Sequence, residues 1–105
     1  MFDIDPIETK GILRENWIIE VQDYVISCHW ILGGSVLLVG DVSGGIYALD
    51  GNTGNILWQK KKVHDGNLLA MSINSMGDLF ATSGQDGSIS IYQTSDGLIL
   101  SLILI

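Results

Sequence analysis

Cysteine beside histidine, at Cys28-His29, brings together the two residue types from which a thiolate nucleophile and its base are made. The uncharged run around them, Tyr24 to Gly40, reads as two strands about a Gly33-Gly34 turn. Successive strand side chains point to opposite faces, so the two groups cannot share a proton, and Cys28 is expected to be a buried structural thiol. The stretch Asp50 to Asn55, "DGNTGN", opens like a calcium loop. It carries Asn55 where such a loop needs glycine and Lys61 where it needs a bidentate glutamate, and so reads as a turn. "GDVSGG", Gly40 to Gly45, is glycine-rich but lacks the Lys-Ser/Thr pair and the following helix of a phosphate cradle. Two histidines, with Asp65 beside His64, fall short of the three or four convergent ligands that zinc takes. No catalytic, cofactor-binding or metal-ligating residue is expected, and the chain reads as a non-enzyme without a cofactor.

The balance of charge argues the same way. Five basic against twelve acidic residues give a formal charge of −7, which repels polyphosphate, and Lys60, Lys61 and Lys62 read as a solvated turn, so no nucleic-acid partner is expected. A single cysteine excludes an internal disulfide, and "MFDIDPIETKG" lacks the basic and apolar regions of a secretion signal, which makes the cytoplasm the expected location. The apolar tail "LILSLILI" is far short of the ~20 residues of a spanning helix, so no membrane role is expected.

These residues must be held by something, and the chain says what by repeating itself. At an offset of 43, Tyr24–Leu57 matches Asn67–Leu100, pairing Gly34 with Gly77, Gly44 with Gly87, Ile46 with Ile89, Gly54 with Gly97 and Ile56 with Ile99. The matched glycines fall at turns and the matched aliphatics within strands. Strand formers are plentiful and helix-friendly runs scarce, so the class is all-β. In the second unit four strands are predicted, near Leu68–Ile73, Leu79–Ser83, Ser88–Tyr92 and Leu98–Leu102. "SISIY" alternates strictly, whereas "SVLLVG" and "LILSLILI" are nearly continuous in apolar residues, as in strands covered on both faces. Four strands in ~40–45 residues is the period of a propeller blade.

The stretch "INSMGDLFATSGQDGSISIY", Ile73 to Tyr92, resembles a WD-repeat, and "YALDGNTGNILW", Tyr47 to Trp58, resembles the blade motif of pyrroloquinoline quinone-type propellers. The resemblance implies a partial β-propeller of about two four-stranded antiparallel blades plus an N-terminal strand. The expected division is an N-terminal segment over residues 1–22, a first blade over 23–63 and a second over 64–105. Within the N-terminal segment, Gly11–Val21 resembles the outer strand that seals a ring. The resemblance also implies a structural hydrogen-bond network carried by His64, Thr82, Asp86 and, in place of the usual Trp, Tyr92. The first unit has Val21, Val39, Ser43 and Leu49 at those places and is expected to lack the network. Trp17, Trp30 and Trp58 are expected to be core. The function implied is a non-catalytic, WD-repeat-like scaffold for a protein partner. Alternatives are a truncated propeller piece without independent function, or a piece of a quinone-dependent dehydrogenase. Closed rings carry about 4–8 blades, so exposed blade faces should drive self-association, with Gly97–Ile105 as an aggregation-prone end.

Overall fold

A computed structural model describes residues 17–104. Eight strands form two four-stranded antiparallel meanders. The first sheet takes β1 (Val25–Ile31), β2 (Val36–Asp41), β3 (Ile46–Asp50) and β4 (Ile56–Lys60) in that spatial order; the second takes β5 (Leu68–Ile73), β6 (Leu79–Gly84), β7 (Ile89–Gln93) and β8 (Ile99–Ile103). The strands of the second sheet lie within about a residue of the ranges expected from the repeat. Even the irregularities repeat. The first pair of each sheet slips register at Val25/Ser27 and at Leu68/Ala70, and the last pair at Ala48/Leu49 and at Ile91/Tyr92, each 43 residues apart.

The two sheets stack face on face, and period-two alternation sorts their residues. We call the face of each sheet that looks back toward the chain's start its front and the other its rear. Val36, Leu38, Ile46, Ala48 and Trp58 on the rear of the first sheet pack with Leu68, Met71, Ile73, Phe80 and Tyr92 on the front of the second. On the front of the first sheet, Leu37, Val39, Tyr47 and Leu49 form a second cluster with Trp17, Ile19 and Val21. Thus β2, apolar from Val36 to Gly40, is covered on both sides, as its composition predicts. The similarly apolar β8 is exposed along its length, because it is an edge strand with no sheet behind it among the described residues.

Of the segment expected to be a ring-sealing strand, Gly11 to Asn16 lie outside the described residues. Trp17 to Val21 pair with no strand among the described residues. They instead lay alternate side chains on the front of the first sheet.

Candidate functional site

The turn after β6 is where the polar side chains meet. His64 is buried and both ring nitrogens are engaged: Nδ1 lies 3.1 Å from Asp86 Oδ1 and 2.9 Å from Ser88 Oγ, and Nε2 lies 2.8 Å from Thr82 Oγ1. A carboxylate can only accept, so Nδ1 donates to Asp86, and the Thr82 hydroxyl, which can donate or accept, partners Nε2. Gly84 makes the arrangement possible, since a Cβ there would collide with the imidazole. Asp86 also accepts from the backbone amides of Ser88, at 3.0 Å, and Asp65, at 2.9 Å, and from the Ser88 hydroxyl, at 2.8 Å. The Ser88 amide first, then its hydroxyl, then the Asp65 amide hold the carboxyl well below its ordinary pKa of 3.8.

The structure therefore brings His64, Thr82 and Asp86 together, and adds Ser88. Tyr92 stands apart. In register it faces Phe80 across β6–β7, so its ring is buried against that ring with centroids 4.9 Å apart, and Lys60 Nζ sits over the Tyr92 ring, 5.8 Å from its centroid. No hydrogen bond among the described residues links it to the other three, and its place in the implied network is corrected to one in the core.

Because the folded-state pKa of Asp86 is depressed, the stability it contributes is fully present above the ordinary carboxylate range. That stability is lost as pH falls through 3.8 and toward the depressed value. Asp50, held down by the Asn52 and Thr53 amides in its own turn, acts in the same direction. The urea midpoint should accordingly drop between pH 7 and pH 3, and Asp86→Asn should show a smaller drop. An equal drop in the variant would remove Asp86 from this role.

The first sheet has a network of its own, which the sequence reading missed. Asp41 is fully buried on its front face and accepts from Ser43 Oγ at 2.9 Å, from the Gly45 amide at 2.8 Å and from the Tyr47 hydroxyl at 3.1 Å. Burial above all, with the carboxylate adding to it, pushes the Tyr47 hydroxyl up from its ordinary pKa; the Gln22 amide opposes this. Of the four positions expected to be without a network, Val21, Val39 and Leu49 are indeed apolar packing, but Ser43 is a donor. The acid has moved from the place of Asp86 to the place of Gly84, two residues earlier and so on the same face of the strand.

Cys28 and His29 face opposite ways, Cys28 opposite Val39 and His29 opposite Leu38. His29 Nε2 bonds instead to Ser27 Oγ at 2.8 Å. Cys28 is exposed, contrary to expectation, because nothing among the described residues covers the front of β1. Among those residues no three His, Cys, Asp or Glu side chains converge, and no helix is long and apolar enough to cross a membrane.

Two tryptophans occupy equivalent seats. Trp58 donates to the Thr94 carbonyl at 2.9 Å and lies over Gly97; Trp17 donates to the Gly51 carbonyl at 3.0 Å and lies over Gly54, positions 43 residues earlier. Each thus locks one layer onto the outer turn of the next. Trp30, expected in the core, is exposed on the front of β1.

At the opposite edge, the β1–β2 and β5–β6 turns flank a shallow groove of about 340 Å³ lined by Leu32, Ile73 and Met76 among others. Leu32 and Met76 are largely exposed. Leu32 stands at φ +52°, a left-handed conformation that costs a leucine about 1–2 kcal/mol.

Stacked four-stranded meanders, each joined to the next by apolar faces, are the arrangement found in solved propellers. No family model matches the chain, and no curated protein does. The β-propeller domain of Cps50 (Swd1) from Myceliophteria thermophila superposes with a TM-score of 0.69 at 16% identity, over 82% of this chain and 26% of that one. BamB from Moraxella catarrhalis gives 0.63 at 21% identity, over 85% and 26%. KlHsv2, with its loop 6CD replaced by a Gly-Ser linker, gives 0.57 at 22%, over 71% and 25%. The fold is a β-propeller, about two blades of it. The chain spans about a quarter of the length of the propellers it matches. In these blades β1 and β5 are the first strands, β4 and β8 the last, and Trp17 and Trp58 the keys between layers.

Proposed function

We propose that this chain is a non-catalytic, WD-repeat-like propeller segment that acts as a scaffold for a protein partner. One observation carries the reading: the polar side chains that converge in the structure are spent on holding turns, while apolar ones are displayed at the turns. His64, Thr82, Asp86 and Asp41 each bond inward to hold a turn, and no buried polar side-chain atom among the described residues lacks a partner. Leu32, by contrast, is held in a strained conformation with its side chain in solvent beside Met76, which suits a groove that takes an apolar side chain from another protein. No cofactor or nucleic acid is part of this reading, and the location that goes with it is cytoplasmic.

Leu32→Gly separates the two roles. Relief of the strain offsets the entropy that glycine costs, so stability should stay level or rise by up to about 1 kcal/mol. Partner recovery in quantitative affinity purification should fall severalfold, and further with Met76→Ala. Undiminished recovery of the same protein by the double variant would overturn the assignment of the groove.

A second reading, a truncated propeller without independent function, is favoured by the chain's spanning only about a quarter of its matches. It differs in predicting no partner whose recovery depends on these turns.

A further inference from the structure

We infer that two copies of this chain pair back to back, the rear of the second blade of one on the rear of the second blade of the other. The pairing does not involve Leu32 or Met76, and it stands apart from the partner proposed for their groove.

The second sheet is inverted in polarity for a sheet with one wet face. Phe80 and Tyr92 look to the front, so alternation sends Leu79, Ala81, Ile89, Ile91 and Ile103 to the rear, where the registers set Ala81 against Ile91 and Ile89 against Ile103. The buried hydroxyls of Thr82 and Ser90 lie on the covered front, while the outward set is apolar. A half-solvated antiparallel sheet shows the reverse, apolar in and polar out. No strand of this sheet holds a charged residue, although the chain carries a formal charge of −7, so two copies can bring the face together without opposing carboxylates on it.

The rear of blade one shows what seats a following blade, and blade two lacks it. Gly40 lets Leu68 in so closely that a Cβ would stand 2.9 Å from Leu68 Cδ2, and Trp58 reaches across to the Thr94 carbonyl. At an offset of 43 the glycine is Ser83 and the tryptophan is Ser101, and β8 holds no tryptophan at all. Leu38 has likewise become Ala81. The rear of blade two is therefore an apolar face without the notch and key of a blade seat, and it suits a second sheet laid on it face to face at ~10 Å.

The other outer face limits the number of copies. Trp17, Ile19 and Val21 already lie on Val39, Tyr47 and Leu49 at the front of blade one, so the rear of blade two is the one whole sheet face left open among the described residues. A patch that meets its own copy is isologous and closes at two. Four short strands present a face of roughly 19 by 17 Å, at ~4.8 Å between strands and ~3.4 Å per residue. That is small for a specific interface, so the dimer should form at high micromolar concentration and come apart on dilution.

Light scattering across a dilution series should show twice the chain mass at high micromolar concentration and the single chain at low. Ile91→Lys, in the middle of the rear face, should stay a folded monomer throughout, whereas Val25→Lys, on the exposed front of β1, should dimerise like the wild type. The reverse pattern, a monomeric wild type or a species larger than a dimer would overturn the inference. Thiol reactivity tests the same face without placing a charge in it. In a Cys28→Ser background, Ala81→Cys exchanges one small side chain for another, and its reaction with a disulfide reagent should slow severalfold as concentration rises. The native Cys28 of the wild type, exposed on the front of β1, should react at one rate over the same range. Slowing at both thiols would mean indiscriminate aggregation, slowing at neither would mean no contact, and each result would refute the pairing.

Discussion

Phe80→Ala should cost about 3–5 kcal/mol, the loss expected when a buried phenylalanine leaves a cavity that its surroundings cannot close. Phe80 is 1% exposed on β6 and is stacked on both sides: Tyr92 of its own blade lies 4.9 Å away and Trp58 of the preceding blade 5.9 Å, centroid to centroid. Tyr92 is held by the β6–β7 ladder, and Trp58 by its bond to the Thr94 carbonyl, so neither ring is free to fill the space. Small domains hold only about 5–15 kcal/mol in total, so the variant should be largely unfolded in mild urea where the wild type is native. Leu100→Ala, on the exposed β8, is the control and should change the midpoint little. Similar midpoints for the two would mean that the blades are not joined through this ring stack.

Asp41→Ala should be the most damaging polar substitution. It strands the Tyr47 hydroxyl, the Gly45 amide and the Ser43 hydroxyl, three donors in or beside the core, at a cost of about 1–3 kcal/mol for each donor that water cannot reach. Ser43→Ala removes one donor on an exposed residue and leaves the acceptor with two others, so its effect should be well below half as large. His64→Ala, which empties the second blade's network, should fall between the two. Urea melts followed by tryptophan fluorescence would rank them, and an Asp41→Ala midpoint equal to that of Ser43→Ala would refute the assignment.

Asp41 also marks the limit of what the sequence discloses. The 43-residue repeat announced both sheets, the turns and most strand bounds, because glycines at turns and alternating aliphatics are local signals that each copy confirms in the other. His64, Thr82 and Asp86 were legible through the resemblance to WD-repeats. Asp41 was not, since an alignment of the repeats looks for the acid opposite Asp86 and finds Ser43 there. The signal present was an acid two residues upstream of that place, a shift that keeps it on the same face of the strand. Trp17 escaped for a related reason: it precedes Trp58 by 41 residues rather than 43, and only the shared seats over Gly54 and Gly97 show that the two are equivalent. The exposure of Cys28 and Trp30 depends on what lies across the front of β1, which no local pattern encodes.

The seam between the blades is fastened at its two ends by different means. Near the inner strands the Leu68 amide bonds to the Val42 carbonyl at 2.9 Å, and at the outer rim the Trp58 indole bonds to the Thr94 carbonyl at 2.9 Å. A joint clamped at both hub and rim cannot swing open like a book without breaking one fastening. Its wedge angle is therefore fixed by the chain itself. Whatever extends the array inherits that angle, and the curvature of the whole is written into the single junction between these two blades.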